Sequence, residues 1–305
     1  MVDILIIGSG PAGLSAAIYA KLANLNVLIA EKIFMGTGQI AESSRVDNYI
    51  GLAGKSGFEL GELFRSDAEN AGAEFLEAEI TGLCRRENNW VAVPADGGEI
   101  EARAVIYAAG ASHRRLNVPG EERFIGSGVS FCAQCDGSFF RGKTVAVIGG
   151  GDTAVDDALY LADIAEKVYL IHRRSTFRAT ESSVRRAQRS PNIEIALSVN
   201  VTEICGGSKV EKIRLDNGQT IEVDGVFTAI GMTPQTAVLQ GIADLDEQGY
   251  VIADETGVTS AEGLFAAGDV RAKKLRQVIT AASDGANAAV SAAEYLRNIE
   301  GADAK

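Results

Sequence analysis

The sequence predicts an α/β protein made of two units of one design, the second set inside the first. Three observations carry that expectation. A strand, a glycine-rich turn, a helix and another strand follow one another near the N-terminus and again in mid-chain. The second copy keeps the register of the first: Gly149, Gly151, Ala154 and His172 each lie 141 residues after Gly8, Gly10, Gly13 and Glu31. Short strands that end in small-residue turns recur at 104–110, 225–231 and 263–269. Assigning the last of them to the first unit splits that unit around the second, with boundaries at 1–115 plus 243–305 and at 116–242.

The elements follow in order. Residues 3–7 are a continuous apolar run, as a strand covered on both faces requires. Gly8-Ser9-Gly10-Pro11-Ala12-Gly13 follows, then an alanine-rich helical stretch at 14–22 and an apolar strand at 27–30 that ends on Glu31. The second copy has a strand at 144–148, the turn Gly149-Gly150-Gly151-Asp152-Thr153-Ala154, a helix at 155–162 and a strand at 168–171 that ends on His172-Arg173-Arg174. The stretches 75–106 and 192–229 alternate and turn on glycines, which reads as antiparallel β-meanders. Pro119-Gly120 and the segment around Pro234 read as crossings between the units, and 277–298 as a long helix. Each unit is therefore expected as a Rossmann-like, three-layer ββα domain.

Composition bounds the function. The 305 residues are 46% hydrophobic and 23% charged, as for a globular chain with a sizeable core. Glycine is in excess, at 34 residues, with five prolines and no collagen-like period. A net charge of -12 disfavours a sequence-independent grip on nucleic acid, which needs a basic face. No apolar run approaches the roughly 18 residues of a membrane span, and no leader is read at the N-terminus. The expectation is a cytoplasmic protein with no membrane partner. Four cysteines do not make a disulfide scaffold; Cys132 and Cys135 form a C-x-x-C, while Cys84 and Cys205 stand alone.

The first turn meets the conditions of a dinucleotide fingerprint: it follows a strand, opens a helix and has an acid about 20 residues on. Gly8 allows the tight turn, Gly10 lets backbone approach a pyrophosphate, and Gly13 lets helix pack on strand. Pro11 and Ala12 open a helix whose N-terminus attracts phosphate. Glu31 suits ribose hydroxyls. The second turn is the Gly-x-Gly-x-x-Ala variant. Its strand ends in His172, Arg173 and Arg174, with Arg178 beyond, where a carboxylate would repel a 2′-phosphate and guanidinium groups would bind it. That preference points to NADPH. The Cys132-Ala-Gln-Cys135-Asp136 motif suits a redox disulfide, because one thiol of such a pair usually has a lowered pKa. Zinc needs a second ligand pair that the chain lacks. Asp136 suits a proton donor to a leaving thiolate, or else an ordinary turn before Gly137. Gly268-Asp269 suits hydrogen bonding to a polyol, or else helix capping.

Taken together, these motifs resemble the low-molecular-weight thioredoxin reductases over nearly the whole chain. They occur in the family's order: Gly8-x-Gly10-x-x-Gly13, Gly38-Gln39, Asp47-Asn48-Tyr49, Cys132-x-x-Cys135-Asp136, Gly149-x-Gly151-x-x-Ala154, His172-Arg173-Arg174-x-x-Phe177-Arg178-Ala179, Gly268-Asp269-Val270 and Arg276-Gln277. The resemblance implies a homodimeric flavoprotein. FAD would lie on the first unit, with Gln39, Asn48, Gly110, Gly268, Asp269 and Gln277 near the flavin or its ribityl chain. NADPH would lie on the second unit, with Asp152, Thr153 and Ala154 at its turn and Arg173, Arg174 and Arg178 on its 2′-phosphate. Cys135 would face the flavin, Cys132 would attack the disulfide of thioredoxin, and Asp136 would be the general acid. Four positions depart from the family pattern: the Ala-Gln spacer where Ala-Thr is common, and Thr37, Ile50 and Ala109. The spacer bears on redox potential and partner preference.

The resemblance also implies motion. The dithiol and the NADPH turn share one inserted unit, and both must reach one flavin, so that unit is expected to rotate, with hinges near Pro119-Gly120 and 241–248. Three rival readings take other routes: a reductase of another disulfide carrier or a peroxide-scavenging partner, an enzyme fed by ferredoxin-type or F420-type donors, and a redox sensor without turnover.

Overall fold

The computed structural model describes residues 1–303 except Phe34 and Ser44. The chain divides into two compact units: residues 1–44, 49–112 and 233–305 in one, and 45–48 with 113–232 in the other.

In the first unit the strand Val2–Ile7 is central. It pairs in parallel with Val27–Glu31 on one side and Ile100–Tyr107 on the other. Its alternate side chains part: Ile4 and Ile6 enter a core with the helices Pro11–Leu22 and Val278–Asp303, while Leu5 and Ile7 face Val105, Leu239, Val251 and Leu264. This sorting by the two-residue strand period explains the unbroken apolar run. The alanine content of the two helices has a steric cause. A Cβ on Gly285 would lie 2.0 Å from the Ala12 carbonyl oxygen, so the helices touch backbone to backbone. Ala12, Ala16, Ala288 and Ala292 are buried along this contact.

On its other edge, Ile100–Tyr107 serves two neighbours. Its first half pairs antiparallel with Asn89–Pro94, which pairs antiparallel with Ile80–Arg86. Its second half pairs in parallel with Leu264–Ala266. The strand Leu264–Ala266 thus belongs to the sheet of the first unit.

The second unit has a five-stranded parallel sheet in the order Ile193–Leu197, Lys167–His172, Thr144–Ile148, Gly225–Thr228, Val129–Ser130. The helices Asp152–Ala162 and Glu181–Arg189 cover one face. The antiparallel strands Val201–Cys205, Lys212–Leu215 and Thr220–Glu222 lie on the other. Both units are therefore helix, parallel sheet and β-layer, the three-layer class expected.

Two sequence expectations need correction. The first strands of both meanders, Glu74–Glu77 and Ile193–Leu197, pair in parallel with Val27–Glu31 and Lys167–His172. Each follows a crossover helix, Gly57–Asn70 or Glu181–Arg189, and a crossover returns the chain in the same direction. The hinge candidates also move. Pro119-Gly120 lies inside the second unit, where the Pro119 carbonyl accepts the Ile204 amide at 2.9 Å. Residues 241–248 lie inside the first unit, where Leu245 bridges Val251. Besides the excursion at 45–48, the chain passes between the units at 112–113 and 232–233, on the strands Ala111–His113 and Met232–Pro234, which pair with each other. Among the described residues no helix is long and apolar enough to cross a membrane.

Candidate functional site

The first turn is built by close backbone approach. Gly8 holds φ at +104°, and a Cβ there would lie 2.5 Å from the Ala108 carbonyl oxygen. A Cβ on Gly13 would lie 1.9 Å from the Gly8 carbonyl oxygen. Gly10 differs: the nearest atom to a Cβ there is the Gly38 Cα at 3.8 Å. Gly10 caps the helix Pro11–Leu22 without any side-chain hydrogen bond, so the helix N-terminus with Ala12 and Gly13 is not closed by its own chain. Gln39 opens the short helical turn Gln39–Glu42 beside it.

Glu31 is a brace as well as a candidate ligand. Its Oε2 accepts the Ser9 amide and the Ser9 hydroxyl, each at 2.9 Å, and its Oε1 accepts the Ile33 amide at 3.1 Å. Ser9 is fully buried, and its one hydroxyl proton is shared between Glu31 Oε2 and the nearer Gly36 carbonyl. Thr37, a departure from the family pattern, packs against Gly61, where a Cβ would lie 2.3 Å from its Oγ1. Asn48 belongs to the short segment Arg45–Asn48, which clusters with the second unit. Gly110, at φ +70°, has open space where a side chain would stand.

Asp269 sits on the turn Gly268–Val270, after the strand Leu264–Ala266. Burial pushes its carboxyl above the usual range, against the pull of Lys273 and Arg276. Its Oδ1 is buried with no hydrogen-bond partner, and the Lys273 ammonium stands 3.6 Å away. The turn itself is anchored from the last helix. Asp284 accepts the Gly268 amide at 3.0 Å, Lys273 at 2.9 Å and Arg271 at 2.8 Å. Gln277 precedes this helix, its amide donating to Thr280 Oγ1.

In the second unit, Gly151 caps the helix Asp152–Ala162 without a side-chain bond, and nothing lies within 4 Å of a Cβ placed on it. Ala154 is buried, and Asp152 accepts the Thr180 amide at 2.8 Å. His172 is not an exposed ligand. Its ring lies over Gly150, where a Cβ would be 2.1 Å away, and stacks on Phe177 with centroids 5.5 Å apart. Burial lowers its pKa, and its Nε2 is buried without a hydrogen-bond partner. Arg173, Arg174 and Arg178 are exposed around this turn, and the Arg178 amide donates to the Gly150 carbonyl at 2.7 Å. No salt bridge joins the three guanidinium groups to a carboxylate among the described residues.

The cysteines form a disulfide. Cys132 caps the short helix Ala133–Asp136, its Sγ accepting the Cys135 amide at 3.1 Å. Ala133 is buried with Val155, Ala158 and Leu161 and seats the motif on the second unit's helix. Asp136 accepts the Ser130 hydroxyl at 2.6 Å through Oδ2; burial raises its pKa and Ser130 opposes that rise. Cys84 and Cys205 are free thiols on strands.

Residues 2–285 match the pyridine nucleotide-disulphide oxidoreductase family. The thioredoxin reductase of Treponema pallidum is 43% identical over 98% of each chain. The chain belongs to the pyridine nucleotide-disulphide oxidoreductases, and within them to the thioredoxin reductases. Solved thioredoxin reductases from Streptococcus pyogenes and Giardia duodenalis are 38% and 36% identical, with TM-scores of 0.92 and 0.90; they cover 98% and 97% of this chain, and it covers 99% of each.

The residues fit the family's cofactors. In the first unit, the uncapped N-terminus at Gly10 and the Asp269 Oδ1, which no hydrogen bond satisfies, suit the pyrophosphate and a hydroxyl-bearing ribityl chain of FAD. In the second, the open Gly151 and the three arginines suit NADPH with its 2′-phosphate. Ser9, Ser130, Arg271, Lys273 and Asp284 escaped the sequence reading. A serine two residues before C-x-x-C-Asp, and an acid inside an alanine-rich helix, were the signals available.

Proposed function

We propose that this protein reduces the disulfide of thioredoxin with electrons from NADPH, using the first unit's turn for FAD and the second unit's turn for NADPH. The observation that carries the reading is the Cys132–Cys135 disulfide with half-buried Asp136, in the same unit as an arginine-bordered glycine turn. When bound, FAD accepts a hydride from the nicotinamide and returns two electrons to a disulfide, a conversion side chains alone do not perform.

The chain's own groups do the rest. Gly8, Gly10, Pro11, Ala12 and Gly13 hold the FAD pyrophosphate, Glu31 the ribose, and Gln39, Asn48, Gly110, Gly268, Asp269 and Gln277 the flavin end. Gly149, Gly151, Asp152, Thr153 and Ala154 seat NADPH, His172 braces their turn, and Arg173, Arg174 and Arg178 select the 2′-phosphate. Cys135 receives the electrons. Cys132, whose sulfur accepts a backbone N–H, is the thiolate that attacks the partner disulfide. Asp136 protonates the sulfur that leaves. Two copies form a homodimer, and the protein works in the cytoplasm, where the free thiols of Cys84 and Cys205 persist.

Steady-state NADPH oxidation tests the reading. It should depend on added oxidised thioredoxin and scarcely proceed with NADH. Oxidation indifferent to thioredoxin would overturn it. Sedimentation at micromolar concentration tests the dimer.

A further inference from the structure

We propose that Ser130 is a positioning residue of the dithiol centre: its hydroxyl joins the Cys132 amide to the Asp136 carboxylate and thereby fixes which carboxylate oxygen handles the proton. This rests on the thiol–disulfide exchange read above.

Ser130 ends the two-residue strand Val129–Ser130, held by its parallel pairing with Val226 and Phe227, and is buried. A hydroxyl has one proton and two lone pairs. Here the proton goes to Asp136 Oδ2 at 2.6 Å, while one lone pair accepts the Cys132 amide at 3.1 Å. The Cys132 carbonyl, at 3.4 Å, is the long alternative for that proton. The strand end, the amide of the attacking cysteine and the acid are thus tied through one atom.

The consequence lies on the other oxygen. Asp136 Oδ1 is buried and has no hydrogen-bond partner. An ionised oxygen in that position lacks a donor, so a proton is best carried there while Oδ2 accepts from Ser130. Asp136 is therefore an acid with one oxygen anchored and one loaded. In the exchange step the Cys132 thiolate bonds to one sulfur of the partner disulfide. The S–S bond breaks, and its electron pair leaves on the second sulfur. That sulfur takes the proton from Asp136 Oδ1, leaving a thiol and an Asp136 carboxylate that the Ser130 hydroxyl stabilises. The exchange consumes only Cys132, the disulfide and this proton.

Other titratable groups do not supply the effect. The helix packed on this turn carries Asp152, Asp156, Asp157 and Tyr160, of which Tyr160 borders Gly137. Arg141 and Lys143 follow the turn, the strand Gly225–Thr228 carries none, and His113 and Arg115 pack on the ring of Phe131, between Ser130 and Cys132. The causes of the Asp136 shift are burial first and Ser130 second, with no charge among them.

The test uses the full-length protein with its dithiol reduced chemically and the reductant removed, so neither NADPH nor thioredoxin is needed. A failure of NADPH-driven reduction would defeat the functional reading and leave this test intact. Exchange is followed between pH 5 and 10 with two probes. Cystamine releases an alkyl thiolate that needs a proton. 5,5′-Dithiobis(2-nitrobenzoate) releases an aromatic thiolate that does not. Ser130→Ala should slow cystamine about tenfold and leave the aromatic probe within about twofold. The alkaline limb of the cystamine profile should move to higher pH, because the contact that lowers the Asp136 pKa is gone. Ser130→Thr should restore both. On an Asp136→Asn background, Ser130→Ala should change nothing further. Ser130→Gly, which removes the hydroxyl and adds no thiol, gives the same readings where the alanine variant fails to fold. Equal slowing of both probes, or an unmoved limb, would overturn the proposal and leave Ser130 a turn-forming residue only.

Discussion

The two glycine turns repeat one backbone plan and diverge at the positions that touch it from the side. In the first unit, Ser9 is buried and bonded to Glu31. The positions 141 residues later hold Gly150 and His172, and there an imidazole ring lies on bare backbone and stacks on Phe177. A polar brace has been exchanged for a ring stack at the same place. The exchange frees the following residues: the first strand ends on a carboxylate tied into its own turn, the second on exposed arginines without a carboxylate partner among the described residues. The helix-facing position differs too, Gly13 against Ala154. Duplicated architecture thus carries two ligands because the side contacts, and not the turn, set the charge at the strand end.

The largest way to break the comparison is to separate the two units' work. Cys135→Ser should abolish NADPH-driven disulfide reduction by on the order of a thousandfold or more, with flavin content and absorbance retained. Loss of flavin from that variant would show that the units are not independent in their ligands. The next effect is steric. Gly13→Ala drives a Cβ to 1.9 Å from a backbone oxygen and should cost about 3 kcal/mol along with bound FAD. Ala154→Gly, the reciprocal change, should cost only about 1 kcal/mol. Urea denaturation and flavin content measure both.

Charge comes third. Arg174→Ala should raise the KM for NADPH about tenfold and leave that for NADH unchanged, the loss of one charge-assisted bond. Steady-state kinetics with both nucleotides read the difference. The smallest effect is a pH dependence. Burial holds the His172 pKa below its ordinary 6.5, so the unfolded chain binds a proton that the folded chain refuses. Stability from this group is full above that value and is lost as pH falls through and below it. His172→Gln should flatten the fall of the urea midpoint on the acid side.

The features carried by local spacing were legible in the sequence. Both turns, the C-x-x-C and the arginine run needed no knowledge of what lies across the fold. The return of residues 263–269 to the first sheet was legible because a strand ending in Gly-Asp repeats a local pattern. What escaped depends on partners distant in sequence or on direction. An alternating run reads alike whether its neighbour is parallel or antiparallel, so the pattern does not set the parallel direction of Glu74–Glu77 and Ile193–Leu197. The helix Gly57–Asn70 has a local signal in its capping box, Ser56 with Glu59, although its crossover role depends on strands distant in sequence. His172 was expected at the ligand, and only the ring of Phe177 and the bare Gly150 show why it turns inward. Ser130 is six residues from Asp136, a spacing that no periodic rule connects, and the bond exists because the chain turns sharply at Cys132.

Anaerobic titration of the flavin-loaded protein with NADPH, followed by oxidised thioredoxin, tests the central claim most directly. Flavin absorbance near its long-wavelength maximum should fall on NADPH addition and return in proportion to the thioredoxin added. Absorbance that NADPH leaves unchanged, or that thioredoxin fails to restore, would contradict the account.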